Sequence, residues 1–281
     1  MLKSSARTAL VLAKTSLNGI TVWSIPGKLA DRLSCAAQVG FDAVQLELGS
    51  WEQGFPLSGK DTQAEVLEIS QTAGLRLLPL AVNAVCDHPF VNGLDTPDGV
   101  IAIQALDGGL DAAAALGLEG ITVPNFGKNR ILNRLHYENT VLALCHACRY
   151  AQPLGLKVYT ENLLSADQLQ QLFFDCGFGN LRLLFDSQNY THYNLPYAMD
   201  VLRTHRAKAG TFLHVKAGSL TQSVPLGEGD GPFFEVLRYL KETDYDGTIV
   251  TENNYTAAPL FSEDLTWMRR DLDVIRAAIN D

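Results

Sequence analysis

Four short apolar runs in the second half of the chain each stop on a residue that can hold a metal or move a proton. Lys-Val-Tyr-Thr-Glu161 and Leu-Arg-Leu-Leu-Phe-Asp186 end on carboxylates, Thr-Phe-Leu-His214 on an imidazole, and Gly-Thr-Ile-Val-Thr-Glu252 on a third carboxylate. A strand of four to six residues crosses one layer of a parallel sheet, so its last residue emerges at the sheet's C-terminal edge. If the four strands are neighbours, three carboxylates and an imidazole converge on one spot. Carboxylates that close repel one another and take up protons unless something offsets their charge. A divalent cation does so, which makes Glu161, Asp186, His214 and Glu252 candidate metal ligands. For any one of them the plainer reading is a buried strand meeting water; four in consecutive strands favour a common site.

The elements that would position these residues alternate strand with helix along the whole chain. Leu10–Ser16 is a first-strand candidate, in competition with Ile20–Ser24, and a helix from about Lys28 to Val39 stops at Gly40. Ala43–Leu48 is a second strand. A helix near Asp61–Thr62, where Thr62 and Glu65 fit a capping box, stops at Gly74. Leu75–Val82 is a third strand, followed by a long loop carrying His88. Thr96-Pro97 then opens a helix that ends at Gly117. Gly120–Pro124, Lys157–Glu161, Leu181–Asp186, Thr211–Val215 and Gly247–Glu252 complete eight strands. Helices are expected at Asn133–Pro153, from Ser165 with a Gln168 capping box to Cys176, at Pro196–Lys208, at Phe233–Thr243 and from Ser262. Parallel strands need crossover connections, and eight of them close a cylinder, so the expected fold is one (β/α)8 TIM barrel spanning residues 1–281 as a single α/β domain. A doubly wound open sheet would carry a glycine-rich first turn, and no G-x-G-x-x-G follows any strand.

Bulk properties narrow the function. The 281 residues are 47% apolar and 19% charged, enough for a large core, and the net charge of −9 disfavours a nucleic-acid partner. No apolar run reaches the 18 residues of a membrane span. Lys3 and Arg7 precede an apolar stretch, but Lys14 cuts it too short for a signal peptide, so a cytoplasmic location is expected. Five cysteines without framework spacing agree with that expectation; Cys145-His-Ala-Cys148 lies inside a helical pattern and reads as structural.

The order Glu161-Asn162, Asp186, His214-Val-Lys216, Gly227–Phe233 and Tyr245–Glu252, with Gly40–Leu48 as a second strand, resembles the sugar-phosphate isomerase/epimerase superfamily. That group has the xylose-isomerase-like barrel and includes ketose 3-epimerases of the D-tagatose 3-epimerase type. The resemblance implies four metal ligands at Glu161, Asp186, His214 and Glu252, with Glu161 and Glu252 also moving the proton. Two positions depart from the family pattern: Asn189 stands where a His is frequent, and Ala217 where an Asp is common. Lys216, Asn189, His88, Trp51, Asn125 and Glu228 are candidate substrate contacts, as is Trp23.

One nitrogen and three carboxylate ligands suit one divalent ion, Mn²⁺ foremost, with Mg²⁺, Co²⁺ or Zn²⁺ as substitutes. The expected substrate is a small sugar or keto-polyol, and a homodimer or homotetramer is compatible with the resemblance. The implied reaction removes a carbon-bound proton to give an enediolate and returns a proton to the opposite face. Three rivals share parts of this pattern. A metal-dependent dehydratase of a keto-cyclitol, of the inosose- or dehydroshikimate-dehydratase kind, begins with the same proton abstraction. An endonuclease IV-like DNA repair enzyme needs more histidines and a positive surface. A non-catalytic sugar-binding barrel leaves the ligand set unexplained.

Overall fold

The computed structural model describes residues 16–280. Among them the strands are β1 (Leu17–Thr21), β2 (Ala43–Gln45), β3 in two pieces (Arg76–Leu77 and Leu80–Ala81), β4 (Gly120–Pro124), β5 (Lys157–Glu161), β6 (Leu181–Leu183), β7 (Phe212–Val215) and β8 (Thr248–Thr251). Every named pairing is parallel. Two arcs form, one running from the first piece of β3 through β2, β1 and β8 to β7, the other from the second piece of β3 through β4 and β5 to β6. Bridges Glu47↔Ala81 and Asp186↔His214 join the arcs, so the order runs once around a cylinder.

The expected third strand, Leu75–Val82, is broken in the middle. Pro79 has no N–H to donate to a neighbouring strand, and the pairing lapses around it. The residues of the Leu10–Ser16 candidate before Ser16 lie outside the described residues; the first strand is Leu17–Thr21, and Val22–Ser24 is a short 3₁₀ turn beyond it.

The principal outer helices are α1 (Leu29–Val39), α2 (Lys60–Ala73), α3 (Pro97–Ala115), α4 (Arg134–Ala151), α5 (Ala166–Cys176), α6 (Ser187–His192), α7 (Ala198–Thr204), α8 (Phe233–Glu242) and α9 (Thr266–Asn280). Glycine closes α1 and α2: Gly40 and Gly74 adopt φ of 104° and 68°, which L side chains rarely do. Thr96 caps α3 by accepting from Gly99 N, and Ser165 with Gln168 forms the expected capping box on α5. The capping box at Thr62 and Glu65 is not formed. Gly59 is already extended after the turn at Pro56–Ser58 and is the N-cap of α2, three residues before Thr62, with Gln63 N bonding to Gly59 O. Helix α7 is shorter than the expected Pro196–Lys208, because His205 leaves the helix to bond Ala166 O through Nε2 at 2.8 Å. No described helix is long and apolar enough to cross a membrane.

Period-two alternation inside the barrel places the chemistry. Ala43, Leu78, Tyr159, Leu184, Phe212 and Val250 form a compact interior cluster, with the Tyr159 and Phe212 rings edge-on at 5.2 Å. Side chains two residues further along a strand face the same way, one layer nearer the C-terminal mouth. That step leads from Ala43 to Gln45, Tyr159 to Glu161, Leu184 to Asp186, Phe212 to His214 and Val250 to Glu252. The apolar layer is thus the floor on which the polar residues stand.

Candidate metal centre

Glu161, Asp186, His214 and Glu252 each offer a ligand atom, and the four atoms lie within 4.8 Å of one another. Glu161, Asp186 and His214 are buried, and Glu252 is partly buried. His214 Nδ1 stands 3.3 Å from Glu252 Oε2 and 3.8 Å from Glu161 Oε1. On the other side of the ring, His214 Nε2 meets Gln45 Oε1 at 2.7 Å. The Gln45 amide nitrogen is turned to Pro79 O and Thr122 Oγ1, so its oxygen faces the imidazole and receives the Nε2–H. Nδ1 points into the carboxylate cluster and makes no well-formed hydrogen bond. Burial lowers the ring's proton affinity, but Glu252, Glu161 and Asp186 outweigh it and raise it, so without an ion the ring tends to hold a proton at Nδ1. A cation ligated by Nδ1 would displace that proton and give the buried nitrogen a partner.

Lys216 supplies the one ammonium in the cluster, 2.7 Å from Glu252 Oε2 and 3.0 Å from Asp186 Oδ2. With all three carboxyls ionised and His214 neutral, as ligation requires, they outnumber the Lys216 ammonium by two negative charges, the charge of one divalent cation. The residues present therefore fit such an ion in both donor type and charge.

The remaining bonds fix each carboxylate. Asp186 caps α6, its Oδ1 accepting from Gln188 N at 2.8 Å and Asn189 N at 3.2 Å, which leaves Oδ2 for the cluster. Asn189 Nδ2 donates to Glu161 Oε1 at 2.8 Å. Trp23 Nε1 donates to Glu252 Oε1 at 3.1 Å. The two glutamates also differ in protonation, through burial and the charges beside them. Burial pushes the Glu161 carboxyl up to about 8, with His214 opposing and Glu252 and Asp186 adding to the rise. Burial acts in the same direction on Glu252, but Lys216 and His214 outweigh it and hold that carboxyl well below the usual range. Burial lowers Lys216, and Asp186 and Glu252 more than reverse the effect.

A cavity of about 350 Å³ opens above the cluster, its floor formed by Lys216, Glu252 and Asn189. Trp23, Phe126 and Tyr193 form aromatic walls, and Ser223, Asn254 and Thr256 a polar rim. Of the other expected contacts, His88 lies between Glu52 and Asp98, at 3.3 and 3.0 Å. Trp51 packs edge-on against Phe55, Glu228 pairs with Arg270, and Asn125 is buried with its amide on Asn129 O. None of these four lines the cavity.

Sequence reasoning missed Gln45, although the strand phase that marks Ala43 as interior also marks Gln45. It also missed α6, because Ser-Gln-Asn-Tyr-Thr-His has no apolar periodicity; the usable signal was Asp186 as a helix cap.

A parallel barrel whose C-terminal mouth carries a buried Glu-Asp-His-Glu cluster is an α/β barrel with a candidate metal site. Residues 33–277 match the Xylose isomerase-like TIM barrel family, and the chain belongs to it. It is 29% identical over 258 residues, covering 90% of this chain and 93% of the relative, to a 2-epi-5-epi-valiolone 7-phosphate 2-epimerase from Actinoplanes sp. (strain ATCC 31044 / CBS 674.73 / SE50/110). Two solved structures share the fold. A D-psicose 3-epimerase in the presence of D-fructose has TM-score 0.74 and 14% identity, over 94% of this chain and 100% of that one. A D-allulose 3-epimerase from Methylomonas sp. has TM-score 0.71 and 18% identity, over 94% and 98%.

Proposed function

We propose that the protein is a divalent-metal-dependent epimerase of a ketose or related keto-polyol, using Glu161 and Glu252 as its two proton-transfer groups. The observation that carries this reading is the buried cluster itself: four convergent donors, three carboxyl groups against one ammonium, and a His214 Nδ1 that makes no well-formed hydrogen bond. Its similarity to a curated epimerase over most of both chains supports the same reaction class.

Glu161, Asp186, His214 and Glu252 would hold the ion, Mn²⁺ foremost. When bound, such a cation polarises a substrate carbonyl and stabilises the charge that develops as an adjacent C–H proton leaves. The proton work falls to the protein. Glu252, kept ionised beside Lys216 and Trp23, accepts a proton from the substrate carbon in one direction. Glu161, its Oε1 oriented by the Asn189 amide, delivers a proton to that carbon from the other side. The roles exchange when the reaction runs backward. Lys216 and Asn189, on the cavity floor, contact substrate oxygens, while the aromatic walls exclude water.

The test is turnover in D₂O with the Mn²⁺-loaded protein on a panel of ketoses, inososes and keto-cyclitols, free and phosphorylated. Deuterium should appear at the inverted carbon, because both carboxyls exchange with solvent. Release of water with an ultraviolet-absorbing unsaturated product would replace the epimerase by a dehydratase, and no exchange with any panel member would remove both.

A further inference from the structure

Behind the mouth lies a second polar cluster that the proton transfer does not use. Asp271, on α9 in the outer layer, is fully buried. Each of its four hydrogen-bond partners is a donor. Its Oδ1 accepts from Leu226 N at 2.9 Å and Arg270 NH1 at 3.3 Å, and its Oδ2 from Asn253 Nδ2 at 2.8 Å and Tyr255 OH at 2.7 Å. Four donors on two oxygens require the carboxylate; an amide at this position would turn one N–H group toward another.

Asn253 carries the connection inward. Its Nδ2 also donates to Val224 O at 2.9 Å, and its Oδ1 accepts from Ala217 N at 2.8 Å. Asn253 directly follows Glu252, and Ala217 directly follows Lys216. One amide side chain therefore ties together the backbones just past two functional residues. Those residues, Lys216 and Glu252, form the 2.7 Å ion pair on the cavity floor. Through Leu226 N, the same carboxylate anchors the loop that brings Ser219 and Ser223 to the rim. That loop is tight on its other side as well: Gly218 has φ of 112°, and a Cβ there would lie 2.2 Å from Gln222 O.

We propose that Asp271 is a positioning residue: acting through Asn253, it sets the separation of Lys216 and Glu252, and so the placement of the Glu252 carboxylate in the metal centre. The proposal rests on the reading of Glu252 as a ligand and proton carrier, but its test uses no turnover. Glu252 already has a reporter, the Trp23 indole N–H that donates to its Oε1. The chain has three tryptophans, so an indole nitrogen–proton spectrum shows three signals, and Trp23→Phe identifies the one of interest.

In Asp271→Asn, folded by circular dichroism, the Trp23 signal should move toward that of a free indole. Its Mn²⁺ affinity, read from the free-ion electron spin resonance signal, should fall by about tenfold, the scale of lost outer-shell support. Tyr255→Phe removes one donor and keeps the carboxylate, so it should shift both readouts in the same direction by less. It also serves as the test if Asp271→Asn does not fold. Val66→Ala, a core truncation on α2, supplies a loss of stability that should leave the Trp23 signal in place. An unmoved Trp23 signal with Mn²⁺ affinity within about twofold of the parent, in whichever Asp271 or Tyr255 variant folds, overturns the proposal. Failure of the epimerase reading would instead show in turnover, in the D₂O experiment or as an active Glu252→Gln variant.

Discussion

The barrel holds a charged cluster at each end, and the two are composed differently. At the N-terminal end, Glu119 accepts from Lys157 Nζ on one oxygen and from Thr211 Oγ1 at 2.7 Å on the other. One carboxylate faces one ammonium, and both oxygens have partners. Burial tends to raise the Glu119 carboxyl, but hydrogen bonds from Lys157 and Thr211 outweigh it and hold the group below its ordinary value. At the C-terminal end, three carboxyl groups face one ammonium, and without an ion the excess is offset only by the protons that Glu161 and His214 tend to hold. A balanced cluster is complete as it stands. An unbalanced one, buried and aimed at a cavity, is completed by something that enters.

The strongest way to break this contrast is to remove a proposed ligand at the mouth. Asp186→Asn and His214→Ala should bring bound Mn²⁺ to background in elemental analysis. Glu161→Gln and Glu252→Gln should each lower turnover by about 10²–10⁴-fold, since inversion needs a proton carrier on either side of the carbon. An active Glu252→Gln variant would return that residue to a purely structural role. Undiminished metal in both Asp186→Asn and His214→Ala would do the same for the cluster.

How far the mouth could be read beforehand follows from what marks each residue. Glu161, Asp186, His214 and Glu252 were legible because each ends an apolar run, and the run fixes its strand, its phase and its end of the barrel. The eight-strand alternation was legible for the same reason. His88, Trp51 and Glu228 sit in connections and short helical turns between the strands and the outer helices, where no periodicity fixes direction, and the structure gives them neighbours away from the cavity. The break at Pro79 could have been read from the proline alone. The link from Asp271 to Asn253 joins helix α9 to a strand end 18 residues away in sequence, and no local pattern announces it.

A smaller effect sharpens the comparison. Mn²⁺ at a thousand times its dissociation constant should stabilise the fold by about 4 kcal/mol, because an ion that binds only the folded state shifts unfolding by mass action. A thermal melt reads this as a rise in Tm. The rise should vanish in Asp186→Asn and persist in Glu119→Gln, so that the stabilisation is assigned to one end of the barrel. Equal rises in the two variants would place the ion elsewhere.

The pH dependence of metal affinity follows from the unequal glutamates. In the metal-free protein the Glu161 carboxyl is raised to about 8, so it holds a proton at neutral pH that a metal must displace. Apparent Mn²⁺ affinity should therefore tighten by up to about tenfold per pH unit toward pH 8 and level off above it. Stability without metal runs the other way for this residue. A carboxyl whose folded value exceeds its unfolded one makes the fold less stable as pH climbs from the ordinary carboxylate range toward about 8. Glu252, whose value is depressed, contributes stability above the ordinary range and loses it as pH falls. Calorimetric titrations of Mn²⁺ at several pH values check the affinity, and metal-free melts check the stability. An affinity flat between pH 6 and 8 would mean that Glu161 is already ionised there.

The smallest effect belongs to the balanced end. Glu119→Gln removes the charge and leaves Lys157 facing an amide. The Lys157 side chain is 35% exposed, so water can solvate the freed ammonium. The cost is then nearer that of a partly solvated pair, about 1 kcal/mol, than the several kcal/mol of a fully buried ion left alone. Thr211 can still donate to the amide oxygen, which limits the loss further. A melt should show Tm lower by about 2–4 °C, the shift that 1 kcal/mol produces in a chain of this general size. Metal affinity and turnover should not change, because the apolar layer of Tyr159, Leu184, Phe212 and Val250 separates this cluster from the mouth. If Glu119→Gln weakened Mn²⁺ binding, that layer would be transmitting strain along β5 or β7, and the two ends would have to be treated as one coupled system.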